Sequence, residues 1–157
     1  MQTGMTNKGH LQRVHRGFTL IELMMACVLV AIIASIAIPS YRSYVVRAQR
    51  SDATTALLRV QTAQEKLFLD RGRFTTNLTN RPSDPTTPGL GLPPRSENGY
   101  YLIEIQEQEA GYVAIARPDP AGRQAKDTRC AEFSINQSGI RRATDSNGVD
   151  RTNECWR

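Results

Sequence analysis

Hydrophobic and polar positions divide this chain into stretches of different periodicity. Residues 1 to 17, MQTGMTNKGHLQRVHRG, are polar and basic, hold no apolar run and end on a glycine. From Phe18 to Pro39 the chain reads FTLIELMMACVLVAIIASIAIP, with Glu22 its one charge. That length suits a helix crossing about 30 Å of hydrocarbon. Further on, Ala53, Ala56, Leu57, Val60, Ala63, Leu67 and Phe68 recur at three- and four-residue steps. Asp52, Arg59, Glu65, Lys66 and Asp70 fall on the other faces, so the pattern predicts an amphipathic helix. Neither glycine nor proline interrupts residues 40 to 70. The two helices are therefore predicted to run together, with Pro39 as a kink. From Phe18 to Leu69 such a helix extends about 78 Å at about 1.5 Å per residue, far longer than a small domain needs.

Gly72 ends this periodicity, and Pro82, Pro85, Pro88, Pro93 and Pro94 then lie among Thr, Asn and Gly, which predicts a loop crossing a surface. YYLIEI from Tyr100 and YVAIA from Tyr112 alternate as β-strands and are separated by a polar stretch ending in Gly111, the pattern of a hairpin. CAEFSI from Cys130 and IRRA from Ile140, joined through Asn136 to Gly139, predict a second. The fold class is thus α+β: a long N-terminal helix packed against a small antiparallel sheet. The organisation is 1–17 basic segment, 18–39 membrane helix, 40–70 amphipathic continuation, 71–99 connecting loop and 100–157 sheet-bearing head.

A secretory signal peptide also has a basic start and an apolar middle, and Ala34, Ser35, Ala37 and Ser40 imitate its cleavage site. The length of this run and the carboxylate near its beginning argue against that reading. The positive-inside rule is nearly silent on orientation, because Arg42, Arg47 and Arg50 offset the basic residues before the span. Tyr41 and Tyr44, with those arginines, suit a boundary between headgroups and water.

Charge and cysteines narrow the class further. The net charge of +5 looks basic, but removing Lys8, Arg13 and Arg16 from the 20 cationic residues leaves 17 basic against 15 acidic. That near-balance gives little support to nucleic-acid binding. Cys27 lies within the apolar run and is read as a small packing residue, whereas Cys130 and Cys155 flank the last part of the head and look like a pair. In an oxidising compartment a disulfide closing that loop contributes about 3.5 kcal/mol in the chain-entropy model. No Cys-x-x-Cys or zinc-like Cys/His spacing occurs, and His10 and His15 precede the span. No nucleophile elbow or phosphate loop is recognisable, so the chain is read as no enzyme, with no cofactor. The fragment from Asp145 to Asp150 has oxygen ligands at alternating positions but lacks the rest of a calcium loop, and its Asn-Gly pair reads as a plain turn. Arg141, Arg142, Arg151 and Arg157 form either a solvated surface or a basic patch for DNA or an acidic partner.

The segment Arg16-Gly17-Phe18-Thr19-Leu20-Ile21-Glu22-Leu23 resembles the leader and mature start of type IV prepilins and pseudopilins. That family's pattern is a basic leader ending in glycine, a following residue that is commonly phenylalanine, a carboxylate at the fifth mature position and an apolar helix. The resemblance implies a prepilin peptidase cutting between Gly17 and Phe18 on the cytoplasmic side and N-methylating Phe18. It implies single-pass anchoring in the lipid bilayer of the inner membrane, head in the periplasm, then delivery by the inner-membrane assembly machinery into a filament of other pilin subunits at the cell surface. Glu22 would pair there with the terminal amine of a neighbouring subunit, or alternatively with its own. A carboxylate deep in a bilayer costs about 2.5 to 3.5 kcal/mol, so a cationic partner matters. Pro39 matches a proline that pilins often carry near this depth, where the helix bends.

The closing Asn153-Glu154-Cys155-Trp156-Arg157, with Cys130 upstream, is similar to the tail of minor pilins of the PilE type, which serve twitching, adhesion and DNA uptake. A pseudopilin of a type II secretion system shares the leader and helix. A single-span membrane-anchored binding domain is the alternative from another class, and it would need neither the cut after Gly17 nor Glu22.

Overall fold

The computed structural model describes residues 17–109 and 111–156. Residues 1–16 and Arg157, with the basic leader segment among them, lie outside the described residues. Contacts divide the chain into two units, residues 1–40 and residues 41–157. Helix α1, Leu20–Arg71, contributes to both.

In the first unit Thr19 caps α1, its hydroxyl oxygen accepting from the Glu22 amide at 3.3 Å. A threonine three residues before a glutamate at a helix start is the sequence signature of such a cap. The side chains from Leu20 to Ile38 are almost all exposed within the unit, and the stretch is long and apolar enough to cross a membrane. Ser35 keeps its hydroxyl satisfied by donating to the Ile32 carbonyl at 2.7 Å.

In the second unit the later part of α1 supplies one side of the core. Ala53, Leu57, Val60 and Leu67 are buried, Ala56 and Ala63 pack against them half-buried, and Phe68 stays more open at 44% exposed. Gly72 ends the helix at φ +69°, its amide donating to the Phe68 carbonyl at 2.7 Å. The other side of the core is one antiparallel sheet of β1 (Tyr101–Gln108), β2 (Gly111–Pro118), β3 (Glu132–Asn136) and β4 (Arg141–Thr144), ordered β1-β2-β3-β4. Both expected hairpins form, and β2 pairs with β3 to join them. Alternation places Tyr101, Ile103, Ile105, Tyr112, Ala114, Ala116, Phe133, Ile135 and Ala143 in the core with the helix residues.

Asp52 departs from its expected solvent face and Arg50 from the headgroup boundary, and Gln64 is buried with them. Asp52, expected on a solvent face, is buried at 7% exposed, with Oδ1 accepting from the Asn98 amide and side chain. Gln64 is fully buried and clamps the start of the loop, its Nε2 donating to the Thr75 carbonyl at 2.6 Å while its Oε1 accepts from the Thr75 amide at 3.1 Å. Arg50 makes a buried two-pronged pair with Asp127, at 2.7 and 2.9 Å. Gln124, in the short 3-10 turn Arg123–Lys126, donates from Nε2 to the Val46 carbonyl, the Tyr101 hydroxyl and Asp127. Desolvation raises the Tyr101 hydroxyl pKa well above its ordinary value, so the tyrosine stays neutral in this network.

The outer edge of β4 is closed by the C-terminal segment. The Arg151 amide donates to the Ala143 carbonyl, the Ala143 amide donates to the Thr152 hydroxyl, and Trp156 Nε1 donates to the Arg142 carbonyl at 2.8 Å. The short helix α2, Thr152–Cys155, ends in the disulfide between Cys155 and Cys130.

Removing one partner of a buried ion pair leaves an uncompensated charge. Arg50→Ala is expected to lower stability by about 3 to 5 kcal/mol in denaturant unfolding of the full chain in detergent. Replacing Arg50 and Asp127 together by apolar residues of similar size should restore most of that loss.

Candidate functional site

The N-terminal constellation is built by the start of α1. Phe18 precedes the helix and is 83% exposed. A Cβ added at Gly17 would meet nothing within 4 Å, so no packing among the described residues calls for glycine there. Glu22 lies in the first turn, where a carboxylate is favoured by the aligned backbone dipoles. Its side chain is exposed and has no partner among the described residues. Its neighbours on the helix, Leu20, Ile21, Leu23, Met24 and Met25, are all more than half exposed. Pro39 lies inside α1 and removes the amide that would bond to the carbonyl four residues earlier. Cys27 is exposed and free. In the second unit Tyr41 and Tyr44 are 69% and 64% exposed, and Arg42 and Arg47 are exposed with them.

On the head, the disulfide holds Trp156 where its ring meets Phe133 edge-on, with Arg141 stacked 5.4 Å from its centroid. Arg141, Arg142 and Arg151 line an open cleft of about 630 Å³ beside β4, together with Asp150 and Glu154. Arg157 lies outside the described residues. Residues from Asp145 to Asp150 form the plain turn expected of Asn-Gly: Asp145 Oδ1 accepts from the amides of Asn147 and Val149, and Oδ2 from Arg151. Asp145 thus spends Oδ1 on the turn backbone and Oδ2 on Arg151, and no group of metal-ligating side chains occurs among the described residues.

Sequence reasoning missed the Thr19 cap, although Thr-x-x-Glu before an apolar run is a legible signal. It also missed the Arg50–Asp127 pair, whose members are 77 residues apart and carry no local signature.

An exposed apolar N-terminal helix with one free carboxylate in its first turn, continuing into a head of four antiparallel strands closed by a C-terminal disulfide, defines a pilin-like protein. Comparison with known proteins agrees. Residues 12–38 match the prokaryotic N-terminal methylation motif, and residues 39–134 match the family described as "Type IV minor pilin ComP, DNA uptake sequence receptor". The chain is 36% identical over 130 residues to a fimbrial protein of Neisseria meningitidis serogroup B, covering 82% of this chain and 71% of that one. It is 26% identical over 129 residues to the type IV major pilin protein PilE1 of Neisseria gonorrhoeae, covering 82% and 68%. Over 60 residues it is 42% identical to the type IV major pilin protein PilA of Myxococcus xanthus, covering 38% and 27%. The chain belongs to the type IV pilin family.

The carboxylates of the C-terminal segment titrate low. For Asp145 the Val149 amide is the largest cause; partial burial opposes it, and the Asn147 amide and Arg151 add to it. Asp150 is held down by the Thr152 amide and hydroxyl, and Glu154 by Arg129. Since each folded value lies below the unfolded one, their stabilisation is present above about pH 4 and disappears as pH falls through the depressed values. The melting temperature should therefore be flat between about pH 5 and 8 and fall below about pH 4, with a shallower acid limb in Asp145→Asn.

Proposed function

We propose that this chain is a structural subunit, a minor pilin, of a type IV pilus, and not an enzyme. A prepilin peptidase cuts between Gly17 and Phe18 and N-methylates Phe18. Residues 18–39 then anchor the protein in the inner membrane with the head in the periplasm, until the assembly machinery moves it into the filament. The observation that carries this reading is Glu22: a carboxylate with no partner among the described residues, in the first helical turn of an otherwise uncharged apolar segment. Cutting after Gly17 places a cationic amine at Phe18, and in oil the attraction between opposite charges is far less screened than in water. A neighbouring subunit's amine relieves the cost of burying Glu22, and that pairing draws the subunit into the bundle. Pro39, lacking an amide, provides a weak point at which the helix bends as it packs.

N-terminal sequencing of protein purified from membranes should start at N-methylated Phe18; a start at Met1 or after Ala37 would remove the reading. Glu22→Gln should insert normally and be depleted from sheared pili, while normal incorporation would dismiss the pairing role.

A second reading, DNA capture, is favoured by the cleft with Arg141, Arg142 and Arg151 at the β4 edge and by the description of the matching family as a DNA uptake sequence receptor. Replacing Arg141 and Arg142 together by Gln should weaken duplex binding at low salt and make its salt dependence shallower by about two phosphate contacts. Unchanged binding would leave these arginines as solvated surface.

A further inference from the structure

The two edges of the sheet are treated differently. The edge of β4 is sealed by the C-terminal segment, whereas β1 is covered along only half its length. At its start the Ser96 amide donates to the Tyr101 carbonyl, and the Ile103 amide donates to the Pro94 carbonyl. There the covering segment stops. Pro93 and Pro94 have no amide to offer, and the chain before them turns away: Leu92 donates to Leu78 and Gly91 to Asn80. Backbone groups alternate along a strand, so Ile105 and Glu107 face outward as Tyr101 and Ile103 do. Each presents one amide and one carbonyl, and among the described residues neither finds a partner.

The far end of this edge, from Glu107 to the hairpin turn, forms one side of a groove of about 560 Å³. Phe74 and Tyr112 line it, with Thr75 and Thr87 from the connecting loop. Tyr112 is 1% exposed, and its hydroxyl has no hydrogen-bond partner. Burial pushes that hydroxyl up to about 12, so it remains a donor across the physiological range. Glu107 and Glu109 also line the groove against the single guanidinium of Arg73, which leaves the wall acidic on balance, and neither carboxylate is engaged in an ion pair among the described residues.

We propose that the outer edge of β1 at Ile105 and Glu107 is a docking site for an extended, basic peptide segment of a partner protein, which adds to the sheet as a further strand. Main-chain bonds to the amides and carbonyls of Ile105 and Glu107 hold the segment. A lysine or arginine side chain meets Glu107 and Glu109. About four residues suffice, since a strand of that length spans about 13 Å. An unpaired edge invites indiscriminate pairing, and the acidic groove wall restricts which segments enter. The site lies on the head and is independent of the processing and pairing assigned to Phe18 and Glu22.

The probe is acetyl-Val-Lys-Val-Lys-Val-amide, titrated into the full chain in detergent, with amide exchange read residue by residue. Saturable binding should slow exchange at Ile105 and Glu107 by about tenfold or more, the effect of new hydrogen bonds on previously open amides. The same peptide N-methylated on the backbone amides that face β1 keeps its charges and side chains but cannot pair, and should lose about tenfold in affinity. Glu107→Pro, which removes an outward amide at a position where edge strands accept proline, should weaken binding similarly without changing the melting temperature. Equal affinity of the N-methylated peptide, unchanged exchange at Ile105 and Glu107, or no binding at millimolar peptide would each overturn the proposal.

Discussion

An apolar helical surface that its own chain does not cover must be covered by something else. From Leu20 to Ile38 the side chains of α1 are exposed within their unit, so water is the wrong medium for them and lipid or other helices are the right one. Into this surface the sequence places one carboxylate, Glu22, with the Thr19 hydroxyl already engaged by the Glu22 amide and the carboxylate left without a partner among the described residues. A charge in that setting is tolerable only with a cation close by, and under the proposed processing the amine released at Phe18 is that cation. The filament, on this account, is the state in which both demands are met together: helices cover helices, and each carboxylate has an amine.

The head depends on the same helix in a different way. Its later turns form one side of the core, and the sheet cannot bury Tyr101, Phe133 and Ile135 without them. Apolar packing is supplemented by polar links that fix where the segments sit on the helix. Gln64 holds the loop at Thr75, Asp52 holds Asn98, and Arg50 with Gln124 fastens the segment before β3. These links pair buried polar groups that would be costly alone, although Asp52 Oδ2 and Gln124 Oε1 keep no partner among the described residues, and together they favour one arrangement of loop, turn and sheet on the helix. The disulfide from Cys130 to Cys155 completes the head by holding the segment that closes the β4 edge.

Much of this was legible because it is periodic. Three- and four-residue steps located Ala53, Leu57, Val60 and Leu67, and alternation located the strands and both hairpins. The cysteine pair followed from two thiols flanking a loop-rich region. The polar interior was not legible. Asp52 and Gln64 look like solvent-facing positions until the loop folds over them, and Arg50 meets an aspartate that neither helical nor strand spacing connects to it. The open half of β1 was equally hidden, because it depends on where the chain before Pro93 turns away. At the N-terminus the reverse holds: Gly17, Phe18 and Glu22 were conspicuous as a motif, while the described residues show only a carboxylate without a partner among them.

The most direct test is a filament structure at a resolution that places side chains. The account predicts the Glu22 carboxylate of this subunit within hydrogen-bonding distance of the N-terminal amine of a neighbouring subunit, with water excluded from the pair. A Glu22 turned to solvent, or a chain whose first ordered residue precedes Gly17 in the assembled pilus, would contradict it.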